Sequence, residues 1–324
     1  MILKKILLIH TGGTISMLEN KETGEVYTTN KHPLSEATYI LQEFADVEEK
    51  IIFSLPSPHI TPDHMLELGK LINSEMNNYD GFVVTHGTDT LEETAYFLDL
   101  MLVTKKPVII TGAMRSSNEI GSDALYNLIS SIRVASDERA IEQGVLVVMN
   151  DEIHTAANVT KTSTSNVATF KSPQYGPIGI ITKDSLLFHH QILKRKKYVV
   201  SSITKKVLLL RAFAGMDGEI FEAINERSID GLVVEGFGQG NLPKDVIPPL
   251  KRMIANNIPI VLVSRCFQGI VQPTYSYDGG GKHLKDMGII FTNGLTGPKA
   301  RIKLLLALEQ TNDLQKLHMM FQID

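Results

Sequence analysis

Short unbroken apolar runs alternate with longer segments of helical spacing, and this alternation limits the fold more than any other feature of the chain. Lys5–Ile9 (KILLI), Ile51–Leu55 (IIFSL), Gly81–Thr85 (GFVVT), Pro107–Thr111 (PVIIT) and Val145–Met149 (VLVVM) read as buried strands. Runs without polar alternation suit a parallel sheet covered on both faces. Between them Met65, Leu68 and Ile72 form one stripe, Leu91, Ala95, Leu98 and Leu102 a second, and Ala124, Leu128, Ile132 and Ala135 a third. Each follows the three- and four-residue steps of one helix face. Asp89 or Thr90 can open the second helix, with Glu92 and Glu93 in its first turn, where a helix N-terminus favours acids.

The alternation predicts a two-domain α/β chain. A larger N-terminal domain with a doubly wound, mainly parallel sheet is expected over 1–187, and a smaller C-terminal flavodoxin-like α/β domain over 207–324. The stretch 188–206 between them reads as a solvated linker, because Phe188–Ser202 carries a basic run without periodicity. In the second domain Val207–Leu210, Gly231–Glu235 and Ile260–Ser264 are strand candidates, and Val246, Leu250, Met253 and Ile254 stripe a helix. A helix near Lys299–Leu308 is expected to finish the fold.

Composition removes several function classes. Lys+Arg number 32 against Asp+Glu 36, a net charge of −4, which gives the chain no electrostatic reason to bind nucleic acid or an anionic membrane. The single cysteine, Cys266, rules out an internal disulfide framework and a Cys-rich zinc site. His59, His64, His189 and His190 lack ligand spacing with nearby acids, so no metal site is expected. The opening MILKKILLIH is too short for a signal peptide, and no apolar run approaches the roughly 20 residues that span a bilayer. A cytoplasmic protein is expected.

In open parallel sheets ligands bind beyond the carboxyl ends of the strands. His10-Thr11-Gly12-Gly13-Thr14 follows the first strand and Thr85-His86-Gly87-Thr88-Asp89-Thr90 the third. Glycine permits a sharp turn and close approach to backbone N–H groups, and the hydroxyls offer hydrogen bonds or a nucleophile. Asn158-Val159-Thr160-Lys161-Thr162 sets one lysine among hydroxyls after the fifth strand. A threonine hydroxyl needs a neighbouring base to attack, and lysine serves only when its pKa falls well below about 10.4. Asp89 pulls the other way, so Thr88, Asp89 and Lys161 can relay a proton or orient a water, with the charge of Lys161 left open. Thr14, with Tyr27 as a proton acceptor, is the other nucleophile. Each piece has a plainer use: Gly-Gly as a turn, Thr-Asp as a helix cap, a lysine on the surface, His10 and His86 as structural histidines. Gly236-Phe237-Gly238-Gln239-Gly240 looks like a dinucleotide loop but lacks the glycine spacing and the downstream acid.

Taken in order, the motifs are specific. Ile9–Ile15 (IHTGGTI) and Gly81–Ala95 (GFVVTHGTDTLEETA), with Thr111–Arg115 (TGAMR), Val159–Thr162 (VTKT) and Gly238–Leu242 (GQGNL), resemble the bacterial-type L-asparaginases of the cytoplasmic, type I branch over nearly the whole chain. The resemblance implies hydrolysis of L-asparagine to L-aspartate and ammonia through a threonine acyl-enzyme, without metal or organic cofactor. It implies Thr14 as nucleophile, Tyr27 on a covering lid, and Thr88, Asp89 and Lys161 as a second triad. Ser57, in Leu55-Pro56-Ser57-Pro58-His59, matches the serine that holds the substrate α-carboxylate, and Asp89 also matches the partner of the α-ammonium. Backbone N–H groups of Gly12–Thr14 and Gly87–Asp89 are the candidates for the oxyanion hole. A homodimer or homotetramer follows from the resemblance, with the second domain of one subunit completing a neighbour's site. Asn241, or Tyr275 or Tyr277, is the expected contribution there. Type I relatives include allosteric enzymes, and Thr162 lies where a second asparagine site is expected.

Two departures stand out. Pro58 occupies the place where the periplasmic type has glutamine, and Val271–Gly281 offers no counterpart of that type's intersubunit glutamate. Two rival readings are an amidotransferase subunit that feeds ammonia to tRNA-dependent synthesis and a Rossmann-like nucleotide- or amino-acid-binding protein without hydrolase activity. The first carries an extra N-terminal domain, for which a motif starting at Ile9 is expected to leave no room. The second calls for a ribose-binding acid about 20 residues after its glycine turn and has no use for the lysine beside Thr88 and Asp89.

Overall fold

The structure is a computed structural model that describes residues 3–28, 33–34, 38–192 and 196–322. It divides into two compact units, Met1–Lys194 and Arg195–Asp324.

In the first unit β1 (Lys5–Gly12) leads into a hairpin of β2 (Met17–Glu19) and β3 (Val26–Thr28), a short helix α1 (Thr38–Leu41) and β4 (Asp46–Leu55). Helix α2 (Pro62–Ser74), β5 (Gly81–Thr85), α3 (Leu91–Met101), β6 (Val108–Thr111), α4 (Ala124–Ala135) and β7 (Val145–Met149) continue the alternation. The chain then turns back through β8 (Glu152–Thr155), a small hairpin of β9 (Thr160–Lys161) and β10 (Phe170–Lys171), and β11 (Gly179–Ile181) with β12 (Leu186–Phe188). The main sheet runs in the order β12-β11-β8-β7-β6-β5-β1-β4. The block from β4 to β7 is parallel, whereas β8, β11 and β12 join antiparallel.

Pleating explains the apolar runs. Ile6, Leu8, Val83, Ile109 and Leu146 pack with Leu128 and Ile132 of α4 on one face, and the intervening Leu7, Ile9, Phe82 and Val84 are also buried. Each such side chain contributes roughly 1.5–3 kcal/mol. One expectation is corrected here. Ile51–Leu55 is not a buried strand but the end of β4, the sheet's edge, where Ile51 is 56% exposed. Glu48, Glu49 and Lys50 blunt that edge, since charge discourages further strand pairing. Helix α2 starts at Thr61, whose hydroxyl accepts from the His64 N–H while His64 Nδ1 accepts from the Thr61 N–H. His64 is therefore a cap. Thr90 is the N-cap of α3, but its hydroxyl donates to the Ser57 carbonyl instead of capping.

The second unit has a four-stranded parallel sheet in chain order, β13 (Val207–Arg211), β14 (Gly231–Gly236), β15 (Ile260–Ser264) and β16 (Ile290–Phe291). Helices α5 (Glu219–Asn225), α6 (Ile247–Ala255), α7 (Gly281–Asp286), α8 (Gly297–Leu308) and α9 (Leu314–Gln322) accompany it. The flavodoxin-type order 2-1-3-4-5 belongs to the parallel strands of the larger unit, β4-β1-β5-β6-β7, and not to this one. The expected last helix is α8, and α9 follows it, burying Leu317, Met320 and Phe321. Of the stretch read as a linker, Phe188 is the last residue of β12, and Tyr198 and Val200 are buried. Residues 193–195 of that basic run lie outside the described residues.

Candidate active site

Strand order reverses at β1, which has β4 on one side and β5 on the other. Such a switch point opens a crevice at the carboxyl ends of the strands, and the three loops that leave β1, β4 and β5 there carry Thr14, Ser57 and Thr88. The β1–β4 register shifts between His10 and Gly12, and the Gly13 N–H donates to the Leu55 carbonyl at 3.1 Å. Gly12 and Gly13 sit at φ +105° and +81°, a region that side chains with a Cβ avoid. A Cβ on Gly13 would also strike the backbone of Gly87. The two glycine loops therefore touch through bare backbone, one residue before Thr14 and one before Thr88. Thr14, half-buried, opens a single 3-10 turn over Thr14–Ser16.

Buried hydrogen bonds hold the second loop. His86 Nδ1 donates to the Gly87 carbonyl at 2.8 Å, which leaves Nε2 to accept from the Thr94 hydroxyl at 2.9 Å. Burial pushes this imidazole down to about 4, so His86 is neutral at ordinary pH. His10 Nδ1 meets the Thr85 hydroxyl at 2.8 Å, and Thr11 donates to the Thr85 carbonyl at 2.9 Å. Both histidines serve the loops as structural groups.

Ser57, Thr88, Asp89 and Lys161 come together. Lys161 Nζ donates to Thr88 Oγ1 at 2.9 Å and to Asp89 Oδ1 at 2.8 Å. Ser57 Oγ accepts the Asp89 N–H at 3.2 Å, and the Ser57 carbonyl accepts from Thr90 Oγ1 at 2.8 Å. Thr88 and Ser57 are buried, whereas the Asp89 side chain is 59% exposed and that of Lys161 17%. The result is a hydroxyl backed by an ammonium, beside a carboxylate that faces solvent. Tyr27 stands half-exposed on β3, opposite Leu18 of β2. Thr162, whose hydroxyl donates to the Thr169 carbonyl, belongs to the turn beyond Lys161.

Several site-building residues carry no signal in the sequence. Asn118 accepts from the Glu19 N–H at 2.7 Å and donates to the Glu19 carbonyl at 2.9 Å, extending β2 as a strand would. Ser117 donates to the Ile15 carbonyl at 2.8 Å. Asp123 accepts the N–H groups of Met114 and Arg115 and holds the segment Thr111–Arg115. Asp123 is the exception, since an acid just before the α4 stripe is visible in the sequence.

In the second unit Asn241 Oδ1 accepts the Gly281 N–H at 3.2 Å, which ties it to the loop that carries Tyr275 and Tyr277. Those two rings are half-exposed, with centroids 5.7 Å apart. Gly236–Gly240 forms a turn closed by the Phe237–Asn241 bridge and opens no helix, unlike a dinucleotide loop. Among the described residues no three His, Cys, Asp or Glu side chains are grouped to hold a metal ion, and no helix is long and apolar enough to cross a membrane.

Residues 5–194 match the family model described as "Asparaginase, N-terminal", and residues 206–321 the one described as "Glutaminase/Asparaginase C-terminal domain". The chain belongs to the asparaginase family. Within this family it is 38% identical over 310 residues to a protein of Deinococcus radiodurans named "Probable L-asparaginase", spanning 94% of this chain and 93% of that one. It is 35% identical over 328 residues to "L-asparaginase 2" of Escherichia coli, at 98% and 93% of the two lengths. The crystal structure of "Probable Cytoplasmic L-asparaginase from Campylobacter jejuni" superposes with a TM-score of 0.88 at 32% identity, covering 99% of this chain and all of that one. The asparaginase fold thus spans both units, and the switch-point loops occupy the N-terminal family domain.

Proposed function

We propose that this asparaginase-family chain hydrolyses L-asparagine to L-aspartate and ammonia by way of a threonine acyl-enzyme. The observation that carries the reading is the contact of Lys161 Nζ with Thr88 Oγ1 and Asp89 Oδ1, at the strand ends that also present Thr14 and Ser57. A zwitterionic substrate needs one anion and a set of donors. The solvent-facing Asp89 carboxylate takes the α-ammonium. Ser57 accepts the Asp89 N–H, so its own hydrogen can donate to the α-carboxylate.

Thr14 Oγ attacks the side-chain amide carbon. The C–N bond then breaks, ammonia leaves with the hydroxyl proton, and an aspartyl ester remains on Thr14. Water adds to the ester, the C–O bond breaks, and Thr14 recovers its proton as L-aspartate departs. Tyr27 covers Thr14 and relays the proton in the first step, taking it from the Thr14 hydroxyl while passing its own phenolic proton to the departing nitrogen. Thr88 already accepts from Lys161, so its hydrogen is directed to substrate or to the attacking water. The N–H groups of Gly13 and Asp89 are engaged by Leu55 and Ser57, so the amides of Gly12, Thr14, Gly87 and Thr88 are the remaining candidates to hold the oxyanion. One such donor is worth about 2.7–4 kcal/mol of barrier.

The enzyme acts in the cytoplasm as a homodimer or homotetramer, with Asn241 and Tyr275 or Tyr277 completing a neighbour's site. The name of the Campylobacter jejuni relative supports the compartment. Cooperative response to substrate, with a second asparagine site near Thr162, is part of the same reading. Ammonia release from L-asparagine and from L-glutamine over a wide substrate range tests it. Release from L-asparagine is expected, sigmoidal if the second site operates, and no release from either amide rejects the hydrolase. A nucleotide-binding protein without hydrolase activity predicts thermal stabilisation by NAD and none by L-aspartate, the reverse of what is expected here, and an amino-acid-binding one predicts stabilisation by L-aspartate without ammonia release.

A further inference from the structure

Lys161 reaches the site from a hairpin too short to hold itself. The β9–β10 ladder has two residue pairs, Phe170 with Lys161 and Lys171 with Thr160, and isolated two-stranded ribbons are marginal in water even when longer. Opposed residues of an antiparallel pair share one face. Lys161 is therefore on one face with Phe170, and Thr160 and Lys171 are on the other. That second face is gripped by two carboxylates. Thr160 Oγ1 donates to Glu92 Oε1 at 3.1 Å, and Lys171 Nζ donates to both oxygens of Glu152 at 3.0 Å. Beside this pair, His154 Nε2 lies 3.2 Å from Glu152 Oε2, and His154 Nδ1 meets the hydroxyl of Ser172, the residue after β10, at 3.0 Å. His154 is fully buried. His154 and Lys171 together hold the Glu152 carboxyl below its usual range against the opposing effect of burial. Glu152 and His154 are both on β8 of the main sheet, so the chain Ser172–His154–Glu152–Lys171 fastens the lysine-bearing hairpin to the rigid scaffold.

We propose that Glu152 is a positioning residue that, through Lys171, keeps the Lys161 ammonium within reach of Thr88 and Asp89. The proposal rests on the reading of Lys161 as part of the catalytic site. It affects turnover more than binding, because Ser57 and Asp89 stay in place while Lys161 is displaced, and small displacements of a catalytic group are costly.

The test compares Glu152→Ala, Lys171→Met, the double variant and the conservative Lys171→Arg with the parent protein. Steady-state ammonia release is measured beside the rate at which acetic anhydride labels Lys161, read by peptide mass spectrometry. Glu152→Ala and Lys171→Met are each expected to lower kcat about tenfold with KM within about twofold. Their effects do not add in the double variant, because they break one link. Lys171→Arg keeps the parental kcat, and Lys161 is labelled faster in the first two variants. Parental kcat in Glu152→Ala, equal labelling of Lys161, or full additivity overturns the proposal. If the parent releases no ammonia from asparagine, the functional reading fails by itself. Lys161 labelling then decides the positioning claim alone, faster labelling upholding it and equal labelling rejecting it.

Discussion

Lys161 donates from one ammonium to a buried hydroxyl and to a solvent-facing carboxylate, and this divided contact is the smallest unit with chemical consequences. Groups that act together lose most of their effect when one is removed. Thr14→Val and Thr88→Val are each expected to cut ammonia release by about a thousandfold or more, with unchanged circular dichroism. Near-parental release by either variant removes that threonine from the mechanism. His86 supports a prediction of a different kind. Burial moves its pKa from 6.5 in the unfolded chain to about 4 in the fold, so within that window the unfolded state binds a proton that the folded state refuses. Stability is full above the upper value and declines as pH falls toward the lower one, by up to about 3 kcal/mol. Urea unfolding at several pH values checks this, and His86→Gln is expected to flatten the slope between the two values.

Among the elements, the loops at the switch point are fixed by backbone contact and the hairpins around them by side chains. Gly13→Ala puts a Cβ into the Gly87 backbone at a positive φ and is expected to abolish activity and to lower stability by more than about 1 kcal/mol. Thermal melts and ammonia assays check it. Asn118→Ala removes both hydrogen bonds to Glu19, each worth about 1 kcal/mol. Faster amide exchange over Met17–Glu19 is expected, with a lower kcat if Tyr27 on the paired strand works from that hairpin. The difference between these two cases also explains what was legible. Gly81–Thr85, Val145–Met149 and Ile260–Ser264 were readable because runs of four or five buried residues state their own period. The threonine–glycine loops were readable because they follow such runs. Strands β8 to β12, two to four residues each, are too short to show a period. The clamps made by Asn118 and Glu152 join residues far apart in sequence and leave no local mark. Ile51–Leu55 misled because its apolar content resembles a buried strand, while its place at the sheet edge is set by the pairing of β1 and β4.

At the scale of the whole molecule, the proposed division of labour puts Thr14, Tyr27, Ser57, Thr88, Asp89 and Lys161 in the first unit and Asn241, Tyr275 and Tyr277 in the second. A site shared between subunits requires assembly. Light scattering after size exclusion is expected to give a mass of two or four times 35.9 kDa, and a fully active monomer contradicts the shared site. The most direct test of the central claim is to quench the reaction with L-asparagine in acid and to map the acylated peptide by mass spectrometry. An aspartyl ester on Thr14, absent from Thr14→Val, is the predicted result. An ester on Thr88, or turnover at the parental rate by Thr14→Val, contradicts the account.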